Sequence, residues 1–205
     1  DTDPSGMTPK EHIDAINEKE HDMVEKRYST LNRSLLPLLE KNDIFLLNPT
    51  DLNEEQQDFI KNYFEDELYP VLTPMADDSS RPFPFISNNS LNLAIMLKNA
   101  ENTGNLFATL RIPDVFSRIV RLPGENNDFI LIEDIIKEYI GQLFTGFSVE
   151  ETAVFRVIRD MDLDVAEKDS SDLLRAVQNQ LKEREHGGVV RLEIENTIGD
   201  VLKKR

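Results

Sequence analysis

The sequence contains no cysteine and only 8 glycines among its 205 residues. Without cysteine, the chain has no disulfides, no thiolate metal sites and no cysteine nucleophile. No apolar run approaches the roughly 20 residues that a membrane-spanning helix needs. The N-terminal residues DTDPSGMT lack the basic start and apolar centre of a signal peptide. We therefore expect a cytoplasmic protein with no transmembrane segment.

Positive charge is also scarce: the sequence has 23 basic and 39 acidic residues, which give a formal net charge of -16. A field of this sign opposes nucleic acids, so we expect no DNA or RNA partner. It also repels free polyanions such as ATP. Any phosphate site in this chain would therefore need a local basic cluster.

The first third of the chain has the pattern of helices. Thr8 is a good N-cap and Glu11 completes a capping box, and an apolar stripe at helical spacing then runs to about Lys41, with a kink expected at Pro37. A second helix begins after Asn53. A stripe this long needs partner helices, so residues 1–69 are interpreted as the C-terminal part of a helical domain and the chain as a piece of a longer protein.

Residues 70–205 mix strands with helices. Apolar residues alternate over 91–97 and again over 106–112, which predicts a β-hairpin. Further strands are predicted at 118–122, 153–159 and 189–194, and further helices at 135–144 and 170–181, with another helix starting near 197. The mixture predicts an α+β domain, a two-layer sandwich with a mainly antiparallel or mixed sheet.

Candidate catalytic groups are few. The three histidines, His12, His21 and His186, have no neighbouring partner or ligand pattern, so solvated surface positions are expected for them. The alternating Asp160, Asp162 and Asp164 allow a Mg²⁺ or Ca²⁺ site. A charged strand edge that blocks association between sheets is the favoured interpretation. The sequence has neither a Walker loop nor a G-x-S-x-G string.

Arginines are the residues to examine if the ligand is a phosphate. Arg156 and Arg159 fall in one predicted strand, and Arg111, Arg118 and Arg121 lie in or near two others. If they converge, they form a polyanion site. If they do not, each pairs with one of the many acidic residues at the surface. The sequence leaves both interpretations open.

The stretch RPFPFISNNSLNLAI at 81–95 combines a stiff segment with a polar turn. Proline fixes its own φ and biases the preceding residue toward extended geometry. Phe83 and Phe85 are therefore expected on the same side, as two buried anchors of a rigid arm. Asn88, Asn89 and Ser90 favour a turn before the strand at Leu91.

The string VLTPMADDSSRPFPFISNNSLNLAIML also resembles a segment of the bacterial polyphosphate kinases. The segments LNEEQQDFIKNYFEDELYPVLTP, AVFRVIRDMDLDVAE and HGGVVRLEIE resemble further parts of the same family, so that the likeness covers nearly the whole chain. It implies the end of an N-terminal helical domain (1–69) followed by the middle, or head, domain (70–205).

The resemblance implies an enzyme that reversibly transfers the terminal phosphate of ATP to polyphosphate through a phosphohistidine, with Mg²⁺, in a homo-oligomer that is commonly a dimer. It implies a bacterial cytoplasmic protein and leaves room for peripheral membrane association. The family's phosphate-accepting histidine lies in a segment resembling Thr-His-Ala-Lys, which this sequence lacks. No catalytic, cofactor-binding or metal-binding residue is therefore assigned here. We expect an inactive scaffold or dimerisation region with no cofactor bound to it; the alternative is an acidic protein-interaction module without phosphate chemistry.

Overall fold

The computed structural model describes residues 6–76, 84–99, 104–160 and 187–204. Its contacts divide the chain into two units, Asp1–Leu47 with Arg121–Phe129, and Asn48–Val120 with Ile130–Arg205. The predicted division into 1–69 and 70–205 stays a prediction. Among the described helices, none combines the length and apolar composition that crossing a bilayer requires.

The first unit is built on a long, interrupted helix. Helix α1 spans Pro9–Thr30 and begins with the predicted capping box, in which Thr8 Oγ1 accepts from the Glu11 N–H and the Glu11 carboxylate accepts from the Thr8 N–H. A π turn at Leu31–Leu35 follows, and α2 spans Leu36–Glu40. Pro37, at the start of α2, has no N–H to donate, and the kink expected there stays a prediction.

A small sheet accompanies the helices. Strand β1, Ile44–Leu46, runs parallel to the start of β6, Asn127–Leu131, with Ile44 opposite Asn127. Strand β5, Ile119–Arg121, completes the order β1-β6-β5. No residue of α1 is buried, and the predicted apolar stripe is exposed, with Ile16 and Met23 each at 64%.

The second unit contains helix α3 (Glu54–Tyr63) and helix α4 (Ile132–Tyr139) together with a five-stranded sheet. Asn53 and Gln56 form the predicted cap of α3, and a π turn at Phe64–Leu68 extends that helix. The sheet has the order β2-β4-β3-β7-β8, and every neighbouring pair is antiparallel. Its strands are β2 (Pro74–Ala76), β3 (Leu91–Asn99), β4 (Asn105–Arg111), β7 (Phe147–Arg159) and β8 (Val189–Ile194).

Both faces of the central strand β3 are buried, because six consecutive residues from Asn92 to Leu97 are almost inaccessible to solvent. One face joins a core of Ile86, Ala94, Met96, Phe107, Ala153, Phe155, Val157, Ile198 and Leu202. The other face carries Leu93, Ile95 and Leu97, which are fully buried, as are Ile135 and Ile136 of α4. Burial on this scale is the main stabilising contribution to the sheet.

The predicted fold class is confirmed: a helical N-terminal segment precedes an α+β region with an antiparallel sheet. The hairpin of β3 and β4 has the expected register, with Leu93 opposite Leu110. The C-terminal residues form a 3₁₀ turn at Leu202–Lys204 rather than the start of a regular helix. The helix predicted at 170–181 lies outside the described residues.

Candidate anion-binding pocket

The polar turn before β3 is held by its own hydrogen bonds and by β7. The Ser90 N–H and hydroxyl both donate to the Ser87 carbonyl, and the Asn89 N–H donates to the Val157 carbonyl at 2.8 Å. Asn89 has φ 57°, a left-handed conformation that asparagine adopts more easily than most residues. The buried Asn92 amide donates back to Ser90. The predicted turn is therefore held rigidly at the start of the central strand β3.

The arm that leads into this turn is attached differently from the prediction. Phe85 is 43% exposed, and the guanidinium of Arg159 lies over its ring at 4.6 Å. The expectation that Phe85 is a buried anchor is therefore wrong; Ile86, the next residue, is the one that enters the core. Alternation along an extended chain puts these neighbours on opposite sides, and the cation over the ring replaces burial. Phe83 lies outside the described residues.

Arg159 acts as a clamp between three chain segments. Its Nε donates to the Ile86 carbonyl at 3.0 Å, its Nη1 donates to the Gly187 carbonyl at 2.9 Å, and its backbone N–H donates to Asn88 Oδ1 at 2.9 Å. These bonds commit the side chain to structural contacts. Arg159 is therefore not part of a polyanion site.

A pocket of about 450 Å³ opens beside the turn. Arg111, at the end of β4, Arg118, just before β5, and Arg156, on β7, all lie on its wall. The rest of the lining comes from the turn and from the connection after β4: Asn88, Asn89, Ser90, Leu91, Ile112, Pro113, Asp114, Phe116 and Ile132. Of the five arginines considered for convergence, Arg111, Arg118 and Arg156 therefore lie on one pocket wall, and Arg121 and Arg159 are not part of its lining.

The three arginines are held in different ways. Arg118 donates from Nε (2.8 Å) and from Nη2 (2.5 Å) to one oxygen of Glu133, a carboxylate that is only 3% exposed. Arg111 makes one long contact, 3.3 Å from Nη2 to Asp114 Oδ2, between exposed side chains. Exposed ion pairs of this kind contribute at most about 1 kcal/mol. Arg118 is therefore oriented firmly, and Arg111 is held only loosely.

Arg156 is the least satisfied of the three. Its Nε is out of contact with solvent and has no hydrogen-bond partner among the described residues. The residue directly across from it on β8 is Glu193, whose Oε1 accepts from Arg191 at 3.1 Å. A buried donor without an acceptor is rare in folded proteins and costs about 1–3 kcal/mol. Arg156 therefore lines the pocket with a guanidinium whose Nε is buried, so that only the rest of the group can meet a ligand there.

Other candidates from the sequence are not brought together. On α1, His12 is half-buried and His21 is exposed, and the His21 ring contacts the Asn17 carbonyl at 2.7 Å. Arg121 lies in the first unit, where its Nη2 donates to Asn127 Oδ1 at 3.4 Å. The Asp160 N–H donates to the Gly188 carbonyl. His186, Asp162 and Asp164 lie outside the described residues. Within the described part of the chain, no three metal-ligating side chains form a group that could hold a metal ion.

A second charged cluster stabilises the sheet instead of forming a site. Lys137 Nζ donates to both carboxylate oxygens of Glu195 at 2.8 Å, and the Val154 N–H donates to the same carboxylate at 2.9 Å. Burial alone would raise the pKa of Glu195, but the bonds from Lys137 and Val154 outweigh it and lower that pKa. The pair ties α4 to β7 and to the end of β8.

Two protein-family models match the chain. The model described as "Polyphosphate kinase N-terminal domain" matches residues 1–47, and the model described as "Polyphosphate kinase middle domain" matches residues 55–205. The polyphosphate kinase of Lactiplantibacillus plantarum is 60% identical over 204 residues, which are 99% of this chain and 28% of that protein. The polyphosphate kinase of Bacillus cereus is 39% identical over 196 residues, 93% of this chain and 28% of that protein.

A solved structure is also similar. The crystal structure of polyphosphate kinase from Porphyromonas gingivalis matches with a TM-score of 0.64 and 27% sequence identity, over 70% of this chain and 25% of that chain. The matched segments make up a two-part region that resembles the N-terminal and middle domains of one family of kinases. The chain belongs to the polyphosphate kinase family, and the predicted resemblance is confirmed. It spans about 28% of the length of the Lactiplantibacillus and Bacillus relatives.

Proposed function

We propose that the full-length protein is a polyphosphate kinase that reversibly transfers the terminal phosphate of ATP to inorganic polyphosphate. The observation that carries this proposal is that models of the family's N-terminal and middle domains match residues 1–47 and 55–205. ATP, Mg²⁺ and a phosphohistidine would serve the reaction in parts of the protein outside this chain. We place the enzyme in the bacterial cytoplasm.

Within that protein, this region serves as a non-catalytic scaffold that also contributes to a homodimer. The described histidines, half-buried His12 and exposed His21, both lie on α1 and outside the pocket that the arginines line, whereas a phosphohistidine must be held among positioned charges. No described group of side chains fits Mg²⁺, so no metal-dependent step is assigned to this region. Its contribution is to position the helical segment and the sheet for the domains that bind nucleotide.

The exposed stripe of α1 supports the scaffold role. Ile13, Ile16 and Met23 are each more than half exposed, and large apolar side chains repeated along one helix face are typical of a surface that another element covers. Residues 1–47 match the N-terminal domain of the family. We therefore propose that, in the full-length protein, the rest of that domain packs over the exposed stripe of α1.

The activity test compares the full-length protein with the chain of 205 residues. Each is incubated with ATP and Mg²⁺, and polyphosphate is measured by ³¹P nuclear magnetic resonance. The proposal predicts synthesis by the full-length protein and none by the chain. Synthesis by the chain would contradict the scaffold role. A folded full-length protein that makes no polyphosphate would leave the alternative, an acidic protein-interaction module.

The scaffold and dimer roles are tested separately. In the full-length protein Ile16→Asp should reduce soluble yield, because a charge would enter a covered face; in the chain alone the same change should have little effect. Glu18→Gln is the control. Light scattering on the full-length protein should give the mass of a dimer, and a monomeric mass at micromolar concentration would contradict the dimer proposal.

A further inference from the structure

We propose that the pocket lined by Arg111, Arg118 and Arg156 is a phosphoryl-oxyanion site, a place where the middle domain itself binds one phosphate group. The chemistry recognised is the tetrahedral, multiply charged oxyanion. A polyphosphate chain and the phosphates of a nucleotide both present that group, and the experiment below distinguishes them. We take polyphosphate as the preferred source of that phosphate group, and this preference rests on the proposed function.

The pocket is locally positive although the chain carries a formal net charge of -16. Its lining contains three arginines and one aspartate, and counting also the Glu133 carboxylate that pairs with Arg118 leaves the group at +1. Three arginines around one concavity run against the overall field, as an anion site in an acidic protein must.

The three guanidinium groups differ in how firmly the fold already holds them. Arg118 is fixed in orientation by the buried Glu133, so its position does not have to be organised when a ligand arrives. Arg111 has only the 3.3 Å contact to Asp114, which an incoming anion can replace. Arg156 has no ion pair within the described part of the chain, and its Nε has no acceptor.

The Asn88–Ser90 turn forms much of the remaining pocket wall and is anchored to β7 through the Asn89 N–H and the Asn88 side chain. The Ser90 hydroxyl and the N–H groups of Asn89 and Ser90 are already bonded within the fold. A side-chain amide on this turn can donate a hydrogen bond to a further oxygen of one phosphate. A volume of about 450 Å³ is within the range of small-molecule sites, roughly 300–1,000 Å³, so one phosphate with its neighbours in a chain can enter.

The binding test uses the chain of 205 residues, and circular dichroism checks that every variant is folded. Orthophosphate, tripolyphosphate, ATP and adenosine are titrated by calorimetry at low ionic strength. We expect tripolyphosphate to bind more tightly than orthophosphate, ATP to bind no more tightly than tripolyphosphate, and adenosine not to bind. Binding of adenosine, or no binding of either inorganic phosphate at millimolar concentration, would overturn the proposal.

Matched variants locate the site. Arg156→Gln should weaken tripolyphosphate binding at least about tenfold, as expected for the loss of a charge-assisted hydrogen bond. Arg121→Gln removes the same charge outside the pocket and should change binding less than about twofold. Asp114→Asn should strengthen binding, because it removes the carboxylate that competes for Arg111. Equal weakening by Arg156→Gln and Arg121→Gln would show a nonspecific charge effect and would refute the site.

The same variants in the full-length enzyme give a second measurement that does not depend on the chain folding alone. In the direction that makes ATP from ADP and polyphosphate, Arg156→Gln should raise the KM for polyphosphate about tenfold while kcat stays within about twofold, because the lost contact is a binding contact. An unchanged KM would overturn the pocket proposal and leave the proposed function intact. An inactive wild-type enzyme would overturn the proposed function, and the calorimetry would still decide the pocket.

Discussion

Replacing Arg159 with alanine should loosen the arm that leads into the central strand. The side chain donates to the carbonyls of Ile86 and Gly187 at 3.0 and 2.9 Å, and its guanidinium lies 4.6 Å from the centre of the Phe85 ring. All three contacts are lost in Arg159→Ala, whereas the backbone bond from residue 159 to Asn88 remains.

The expected magnitude follows from those contacts. Two hydrogen bonds from a charged donor, in a half-buried setting, contribute about 1 kcal/mol each, and a partly exposed cation–π contact contributes about 0.5–1 kcal/mol. The free energy of unfolding should therefore fall by about 2–3 kcal/mol. For a chain of this size each kcal/mol corresponds to about 2–4 °C in Tm, so thermal denaturation followed by circular dichroism should show a decrease of roughly 5–10 °C.

Two further variants separate the clamp from a general loss of charge. Arg121→Ala removes an arginine whose one hydrogen bond to Asn127 is long, at 3.4 Å, and should shift Tm by less than about 2 °C. Phe85→Leu removes only the ring and should cost about 0.5–1 kcal/mol. If Arg159→Ala unfolds within 2 °C of the unmodified protein, the clamp does not stabilise the arm and the reasoning fails.

Three other predictions concern stability. Glu195→Gln should lower Tm by about 4–8 °C at pH 7, because it removes the charge-assisted bonds from Lys137, a loss of about 2 kcal/mol. Since folding lowers the pKa of Glu195, this stabilisation is complete above the unfolded value of about 4.5 and is lost as the pH falls through the folded pKa; a difference that persists at pH 2 would contradict the assignment. Ile135→Ala, at a fully buried position of α4, should cost about 2–5 kcal/mol in denaturant unfolding, whereas Val115→Ala, 79% exposed, should stay within about 0.5 kcal/mol. Asn89→Ala should cost about 1–2 kcal/mol and Asn89→Gly less than half of that, because φ 57° strains a residue with an apolar Cβ; equal costs would exclude backbone strain as the reason.

The hairpin and the helix caps could be predicted because their signals are local. In a strand, successive side chains lie on opposite faces of the sheet, so the alternating apolar residues over 91–97 and 106–112 share one face. The structure pairs Leu93 with Leu110, as that pattern requires. Thr8 with Glu11 and Asn53 with Gln56 are three residues apart, so their hydrogen bonds depend on a single helical turn. These features need no information from the rest of the chain.

The pocket could not be predicted in the same way. Arg111 and Arg156 are far apart in the sequence, and they meet at the pocket because β4 and β7 both pair with β3. The sequence marked both residues as candidates and left their convergence open. It gave no sign that Arg159, three residues from Arg156, would bond to backbone carbonyls, because those carbonyls come from segments on either side of β7.

The clamp also has a consequence for the order of folding. Arg159 bonds to a carbonyl 73 residues earlier in the chain and to another 28 residues later. Closing loops of that length costs entropy that local contacts cannot repay. We therefore expect the arm to attach late in folding, after the strands of the sheet have paired, so that its attachment would report the completion of the sheet and not its beginning.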